Sequence, residues 1–333
     1  MIRSLLVTAL GFCILPLWSG RPCAATAMSN ADLVRMTDSY LNVQDIAGLV
    51  EFADALHSLC DYESLLVVVQ RAYEKLPADQ PQLRAHALRG IAEAYEGLGK
   101  LDQAIATYCE TIQKFPDSPQ TPWAHIGIAR SLIGLGRYDE ARAELREVAQ
   151  KSPGTTAAAW AEEQTGYAYL DQQKPRQALD YIKRALHDYP PETHPREMGF
   201  PSLKYLRIEI ALPHLNDAYV QLGDDAAALE EFGKLRAAPD VGPTALYYTA
   251  VHHQRLGHYD QAIDLFTQYL ALPDQFFRLP DAHFNRAMSY FTKGDYDRAI
   301  AGWREVATKF PLHYLAQESA PWIRIAEQRQ ASK

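Results

Sequence analysis

A phrase of glycine, a tyrosine or leucine two residues on and an alanine three beyond that returns along this chain. It reads GKLDQAI from Gly99, GRYDEAR from Gly136, GHYDQAI from Gly257 and GDYDRAI from Gly294. Each copy is followed by about one helix length, and usually by a proline. A phrase that recurs at such spacing restricts the chain to an array of similar small units, each stacked on the next. It excludes a single globular core, which 333 residues would in any case strain.

Let the turn glycine be position 15, the aromatic 17 and the alanine 20; seven copies then fit one frame. Position 8 is small in most of them: Ala53, Ala92, Ala129, Gly166, Asn216, Ala250 and Ala287. Position 20 is Leu65, then Ala104, Ala141, Ala178, Ala228, Ala262 and Ala299. Position 24 is large: Val69, Tyr108, Leu145, Ile182, Phe232, Phe266 and Trp303. Small residues at 8 and 20 let two helices cross closely, and the large residue at 24 fills the space beside the crossing. Glycine at 15 suits a helix end in the left-handed region. Position 32 is Pro77, Pro116, Pro153, Pro190, Asp240, Asp274 and Pro311, where proline stops the second helix. The pattern predicts helix pairs, each leaving an apolar face that only a neighbouring pair can cover.

These slots resemble those of the tetratricopeptide repeat superfamily over roughly Asp45 to Pro311. The resemblance implies an all-α, right-handed superhelical solenoid of about seven antiparallel helix pairs. The first copy departs from the pattern with Cys60 at the glycine slot and Leu65 at the alanine slot. The fourth has Gln173 and Pro175 at positions 15 and 17, and the fifth has Asn216 at position 8. Segments such as KFPDSPQTPWA from Lys114 are similar to those of bacterial envelope members, namely the outer-membrane-assembly lipoproteins and the coordinator of the Tol–Pal system.

Successive position-20 residues are 39, 37, 37, 50, 34 and 37 apart. The long interval marks PPETHPREMGFP from Pro190 to Pro201, whose four prolines cannot continue a helix. The expected organisation is a leader at 1–27, an entry helix at 28–45 capped by Asn30 or Asp32, and repeats one to four at 46–190. A loop at 191–203, repeats five to seven at 204–311 and a C-terminal cap at 312–333 follow. Tyr314, Leu315, Trp322, Ile323, Ile325 and Ala326 are expected to cover repeat seven, with Pro321 in the first turn of a helix.

The leader has Arg3, an apolar run from Leu5 to Trp18 that is short for a bilayer span, and the small-x-small sequence Ala25–Thr26–Ala27. It predicts export and cleavage near Met28, which places the protein in the periplasm, with secretion as the alternative. An uncleaved N-terminal anchor is the other reading; a cleaved chain has no transmembrane segment. The net charge of −8 becomes −10 on cleavage, because the leader carries Arg3 and Arg21 and no acid. An acidic chain does not suit nucleic acid or anionic lipid. Cys60 and Cys109 hold different repeat positions and are expected to be free thiols.

No Gly-rich phosphate loop, G-x-S-x-G elbow, H-E-x-x-H or C-x-x-C is present, so no enzyme, cofactor or metal is expected. His252, His253 and His258 cluster, but His253 stands at position 11, a packing slot. Asp102, Asp139, Asp260 and Asp297 recur in phase at helix starts, where a carboxylate meets exposed N–H groups. The resemblance implies that the first helix of each pair lines a groove through positions 2, 5, 9 and 12. The candidate partner-binding residues are then Trp123, Ile126, Arg130, Ile133, Trp160, Tyr167 and Leu170 in repeats three and four. In repeats six and seven they are Tyr247, Val251, Phe284, Met288 and Phe291. Repeat two is more polar, with His86, Arg89, Glu93 and Glu96. The groove lacks the lysine–asparagine pair by which chaperone-binding members grip a terminal carboxylate. The expected function is a non-enzymatic envelope scaffold for a protein or peptide. Carbohydrate handling through Trp123 and Trp160, and self-assembly of open-ended solenoids, are the alternatives.

Overall fold

A computed structural model describes residues 28–189, 206–273 and 278–332; these residues hold sixteen α-helices and no strand. The leader, the inserted loop at 191–203, Pro190 and Asp274 lie outside the described residues. The entry helix α1 is Asn30–Asn42. The repeats follow as α2 (Ile46–Ser58) with α3 (Tyr62–Lys75), α4 (Pro81–Gly97) with α5 (Leu101–Lys114), and α6 (Thr121–Gly134) with α7 (Tyr138–Lys151). Repeat four is α8 (Thr156–Asp171) with α9 (Pro175–His187). Repeat five opens with a π-helical turn, Leu206–Ala211, that runs into α10 (Leu212–Leu222), and continues with α11 (Asp225–Leu235). Then come α12 (Gly242–Arg255) with α13 (Tyr259–Leu270), α14 (Leu279–Thr292) with α15 (Tyr296–Lys309), and the closing helix α16 (Tyr314–Ala331). The molecule is an all-α array of helix pairs in the frame read from the sequence.

The frame's slots are the core. The alanines of position 20 are fully buried in repeats two to seven, and so are Tyr108, Ile182, Phe232, Phe266 and Trp303 at position 24. The second helices of repeats one, two, three and seven end at Lys75, Lys114, Lys151 and Lys309, two residues before the proline. The intervening residue leaves the helical region, with ψ of 131° at Leu76 and 51–56° at Ser152, Phe310 and Phe115. This is the restriction that proline's ring places on the residue before it. The turn glycines Gly99, Gly136, Gly257 and Gly294 have φ of 71–81°. Cys60 and Gln173 keep the same left-handed turn with φ of 54° and 57°, although each pays the side-chain crowding that glycine avoids.

Gln44 does the same between α1 and α2, with φ of 56°. The entry helix is therefore joined by a repeat-type turn, and α3 packs on α1 as well as on α2 and α4. Ser29, in extended conformation, caps α1 by accepting from the Asp32 amide at 3.2 Å, in place of the expected Asn30 or Asp32. Asn30 and Asp32 already lie inside the helix, so their side chains cannot take the capping place. At other helix starts the capping oxygen comes from Asp45, Asp61, Asp224 and Asp295. The in-phase acids Asp102, Asp139, Asp260 and Asp297 sit in the first turn, where the helix dipole favours them.

The chain packs as two units, divided inside α8 between Ala168 and Tyr169. In the second unit Glu231 of α11 accepts from Lys183 at 2.8 Å and pairs with His187 at 2.9 Å, tying α11 to α9. The π-helical turn has its cause in Pro213, which lacks an N–H and would crowd the carbonyl four residues back; widening the turn relieves that. At the C-terminus one helix runs through Pro321 where a helix starting there was expected. Leu315, Ser319 and Ala326 are buried on a continuous face, and Ser319 Oγ donates to the Leu315 carbonyl at 2.7 Å. Burial along that face outweighs the hydrogen bond that proline removes. Trp322 and Ile323 pack on repeat seven as expected, whereas Tyr314 and Ile325 face solvent.

Candidate partner-binding surface

The first helices present a polar ladder in repeats two and three. Arg89, 5% exposed, donates from Nε to Gln120 Oε1 at 2.7 Å and pairs with Glu93. Arg130 makes a two-pronged bond to Glu96, with Nε and a terminal nitrogen each 2.8 Å from a carboxylate oxygen. Tyr108 of α5 donates its hydroxyl to the same carboxylate at 2.9 Å. Burial works to raise the Glu93 carboxyl, but the charges of Arg89, His57 and Arg130 outweigh it and hold it below its ordinary value. Such fork-to-fork pairing fixes both side chains and the spacing of α4 and α6. Arg130 is thus already engaged, and a partner would meet it as half of an ion pair.

The candidate residues divide sharply. Ile126, Ile133, Trp160, Leu170, Tyr247 and Phe291 are buried, whereas Trp123, Arg130, Tyr167, Val251, Phe284 and Met288 are half-buried. Trp160 meets Trp123 edge-on, with ring centroids 6.1 Å apart, and offers no open face to a sugar ring. Tyr247 is enclosed by Tyr248, Phe266 and Tyr269, and Phe291 by Trp303 and Trp322. Position 5 therefore serves the array's own packing in several repeats. Position 9 does not: Asp54, Glu93, Arg130, Tyr167, Asp217, Val251 and Met288 are each exposed or half-buried. It is the groove position that stays open in every repeat.

His253 is half-buried beside His258, their Nδ1 atoms 3.4 Å apart. The fully buried histidine of the cluster is His252, whose Nδ1 lies 2.6 Å from Asp225, and not His253 at the packing slot. Cys60 and Cys109 are free thiols.

Two titratable groups, the half-buried His86 and the buried Glu209, act in opposite directions. Burial, with the Arg89 charge, pushes the His86 imidazole down to about 4. Burial pushes the Glu209 carboxyl up to about 7, against the pull of Arg278 and with the push of Asp281. Below the ordinary histidine value of 6.5 the unfolded chain takes up a proton that folded His86 refuses until about 4, so His86 makes stability fall as pH falls through that window. For Glu209 the folded chain keeps its proton up to about 7 while the unfolded chain loses it near 4.5, so stability falls as pH rises through that window. Glu209→Gln is expected to raise the melting temperature more at about pH 8 than at about pH 5, and His86→Gln the reverse. Thermal melts at the two pH values check both.

Residues 99–161 match a tetratricopeptide repeat model, and residues 217–276 and 250–312 match a second one. No curated protein matches the chain in sequence. Among solved structures, a tetratricopeptide repeat protein from Parabacteroides merdae is similar at 13% identity, over 85% of this chain and 99% of that one, with a TM-score of 0.49. Pseudomonas aeruginosa pilF is similar at 16% identity over 72% and 96%, with a TM-score of 0.46. PilW, a type IV pilus biogenesis factor, is similar at 17% identity over 70% and 97%, with a TM-score of 0.47. With matched repeats in both halves, left-handed turns at position 15 and closed crossings at position 20, the chain belongs to the tetratricopeptide repeat superfamily.

Proposed function

We propose that the protein is an exported, non-enzymatic scaffold of the cell envelope that binds a protein or peptide along the first helices of its repeats. The observation that carries this reading is the open row at position 9. Arg130 and Glu93 each also pair within the array, yet every residue of the row keeps exposed surface for a partner. In the first unit the row holds Asp54, Glu93, Arg130 and Tyr167, and in the second Asp217, Val251 and Met288. Each unit's row mixes charged with aromatic or apolar side chains, which suits a polypeptide, with both kinds of group to offer, better than a small ion or a sugar. Export rests on the leader, with Arg3, the Leu5–Trp18 run and Ala25–Thr26–Ala27, and no helix among the described residues is long and apolar enough to cross a membrane. The similarity of the inter-repeat segments to envelope members of the superfamily supports the same placement.

A pull-down from a cell-envelope extract tests the reading. Wild-type protein is expected to recover a specific protein partner. Arg130→Glu combined with Met288→Glu should lose it, while Glu140→Lys on a second helix should not. Recovery of the same partner by the folded double variant, or of none by wild type, contradicts the proposal.

A further inference from the structure

A two-helix tie occurs twice in the array. In repeat seven, His283 at position 4 of the first helix faces Glu305 at position 26 of the second, with Nδ1 3.1 Å from Oε2. Lys309, one turn further on, pairs with the same carboxylate at 2.5 Å. Repeat three has the same three residue types at the same positions: His125, Glu147 and Lys151. There His125 Nε2 lies 3.7 Å from Glu147 Oε1, and Lys151 Nζ lies 2.6 Å from that oxygen. As a helix-to-helix tie, this trio is complete in repeat seven.

Repeat three adds a carboxylate that the tie does not use. Glu144, at position 23, approaches the other face of the imidazole edge, with Oε2 2.6 Å from His125 Nδ1. One donor atom from each of His125, Glu144 and Glu147 lies within 4.8 Å of the other two, the one such grouping among the described residues. Repeat seven cannot build it. Its position 23 is Gly302, where a Cβ would come within 2.8 Å of Ala287 Cβ.

We propose that His125, Glu144 and Glu147 bind a divalent transition-metal cation of the zinc class, a role independent of partner binding at position 9. One imidazole nitrogen with two carboxylate oxygens is a donor set that zinc and its neighbours accept, whereas calcium and magnesium favour all-oxygen shells. Two carboxylates balance the ion's charge. Metal–ligand bonds of about 2.0–2.2 Å at tetrahedral angles hold donor atoms roughly 3.4 Å apart. The ring gives the ion one nitrogen: Glu144 Oε2 stands 2.6 Å from Nδ1 and Glu147 Oε1 faces the other nitrogen, Nε2, at 3.7 Å. On metal binding Glu147 therefore swings to the Nδ1 edge, a move within the 4.8 Å that spans one donor atom of each residue. The ion replaces the proton that His125 and Glu144 share, and Glu147 turns from Lys151. The bond to Lys151 is an exposed pair one helical turn apart, a kind that gives way readily. Three protein ligands leave a position for water or for a donor from a bound partner.

Calorimetric titration of the untagged full chain with zinc chloride tests this. One site per chain is expected, weakened by at least about tenfold in Glu144→Gln, as loss of a tuning or ligating carboxylate does, and more in His125→Gln. Glu144→Gln keeps an amide oxygen to accept from the imidazole and leaves the tie through Glu147 and Lys151 in place. His283→Gln should change affinity by less than about twofold, since distant sites act independently. Cobalt(II) should bind without a thiolate charge-transfer band, because Cys109 is not one of the grouped donors. No stoichiometric binding, equal affinity in Glu144→Gln, loss in His283→Gln or a thiolate band would each overturn the proposal.

Discussion

Trp303→Ala is expected to cost about 3–5 kcal/mol, the range for deleting a buried large aromatic. Trp303 is fully buried at position 24 of repeat seven. Its ring lies 5.7 Å from Phe291, 6.1 Å from Phe284 and 5.9 Å from Trp322, the last stacked at 29°. Those contacts join α14, α15 and α16, so the alanine leaves a cavity where three helices meet. The indole Nε1 has no hydrogen-bond partner. Removing it returns a little of the loss, because an unpaired buried N–H is itself unfavourable. A repeat array is stabilised by neighbour interfaces, so the damage should stay local. Amide exchange should accelerate in α14–α16 by roughly a hundredfold or more while repeats two and three keep their protection. Uniform exchange across the chain, or none gained, would contradict the local account.

The second large effect is expected at Gly127 in α6, at position 6 of repeat three. A Cβ there would lie 2.2 Å from Tyr108 Cζ and within 2.6 Å of two further ring atoms. Tyr108 has no room to yield: it is fully buried and donates its hydroxyl to Glu96, which also holds Arg130. Helix propensity favours Gly127→Ala by roughly 1 kcal/mol. Overpacking of a tight core costs about 1–3 kcal/mol or more, and with contacts this short the clash wins. Gly127→Leu should reach or exceed the upper end of that range. A double-mutant cycle separates the causes: Tyr108→Leu, destabilising alone, should relieve most of the penalty of Gly127→Ala. Strict additivity of the two would show that the glycine is kept for another reason.

Gly127 also marks the limit of what the sequence discloses. Positions 8, 20 and 24 were legible because the same steric demand recurs at every crossing, and seven repetitions expose it. Gly127 answers Tyr108 at position 24 of the preceding repeat, as Gly90 answers Val69, but position 6 is Glu51, Gln164, His214, Tyr248 and Asn285 in the other repeats, so the slot shows no residue pattern to read. The left-handed turns at Cys60 and Gln173 were legible from the frame, since their neighbours fix the turn even where glycine is missing. The equivalent turn at Gln44 fell outside the frame, because α1 has no alanine-and-proline signature. Pro321 looked like a helix start; whether a proline begins or merely interrupts a helix depends on the face around it, and Leu315, Ser319 and Ala326 decide that in three dimensions.

The groove was half legible. Frame positions place a side chain on the first-helix face, yet burial there depends on what the same repeat or the next element adds. Tyr247 is closed over by Phe266 and Tyr269 of its own second helix, and Phe291 by Trp322 of the closing helix. Position 9 escapes such covering in every repeat, which the pattern of residue types, from aspartate to methionine, does not show. The grouping of His125, Glu144 and Glu147 was invisible for a related reason: its members lie 19 and 22 residues apart on two helices. Only the pairing of α6 with α7 brings them together.

Site-specific photo-crosslinking in cells tests the partner-binding account most directly. A photoreactive residue is placed at Tyr167 or Met288 in the position-9 row, and at Glu140 or Ala301 on exposed second-helix surface. The account predicts a discrete crosslinked partner from the position-9 sites and none from the second-helix sites. Crosslinks that arise only from Glu140 and Ala301, with the position-9 row silent, would contradict it.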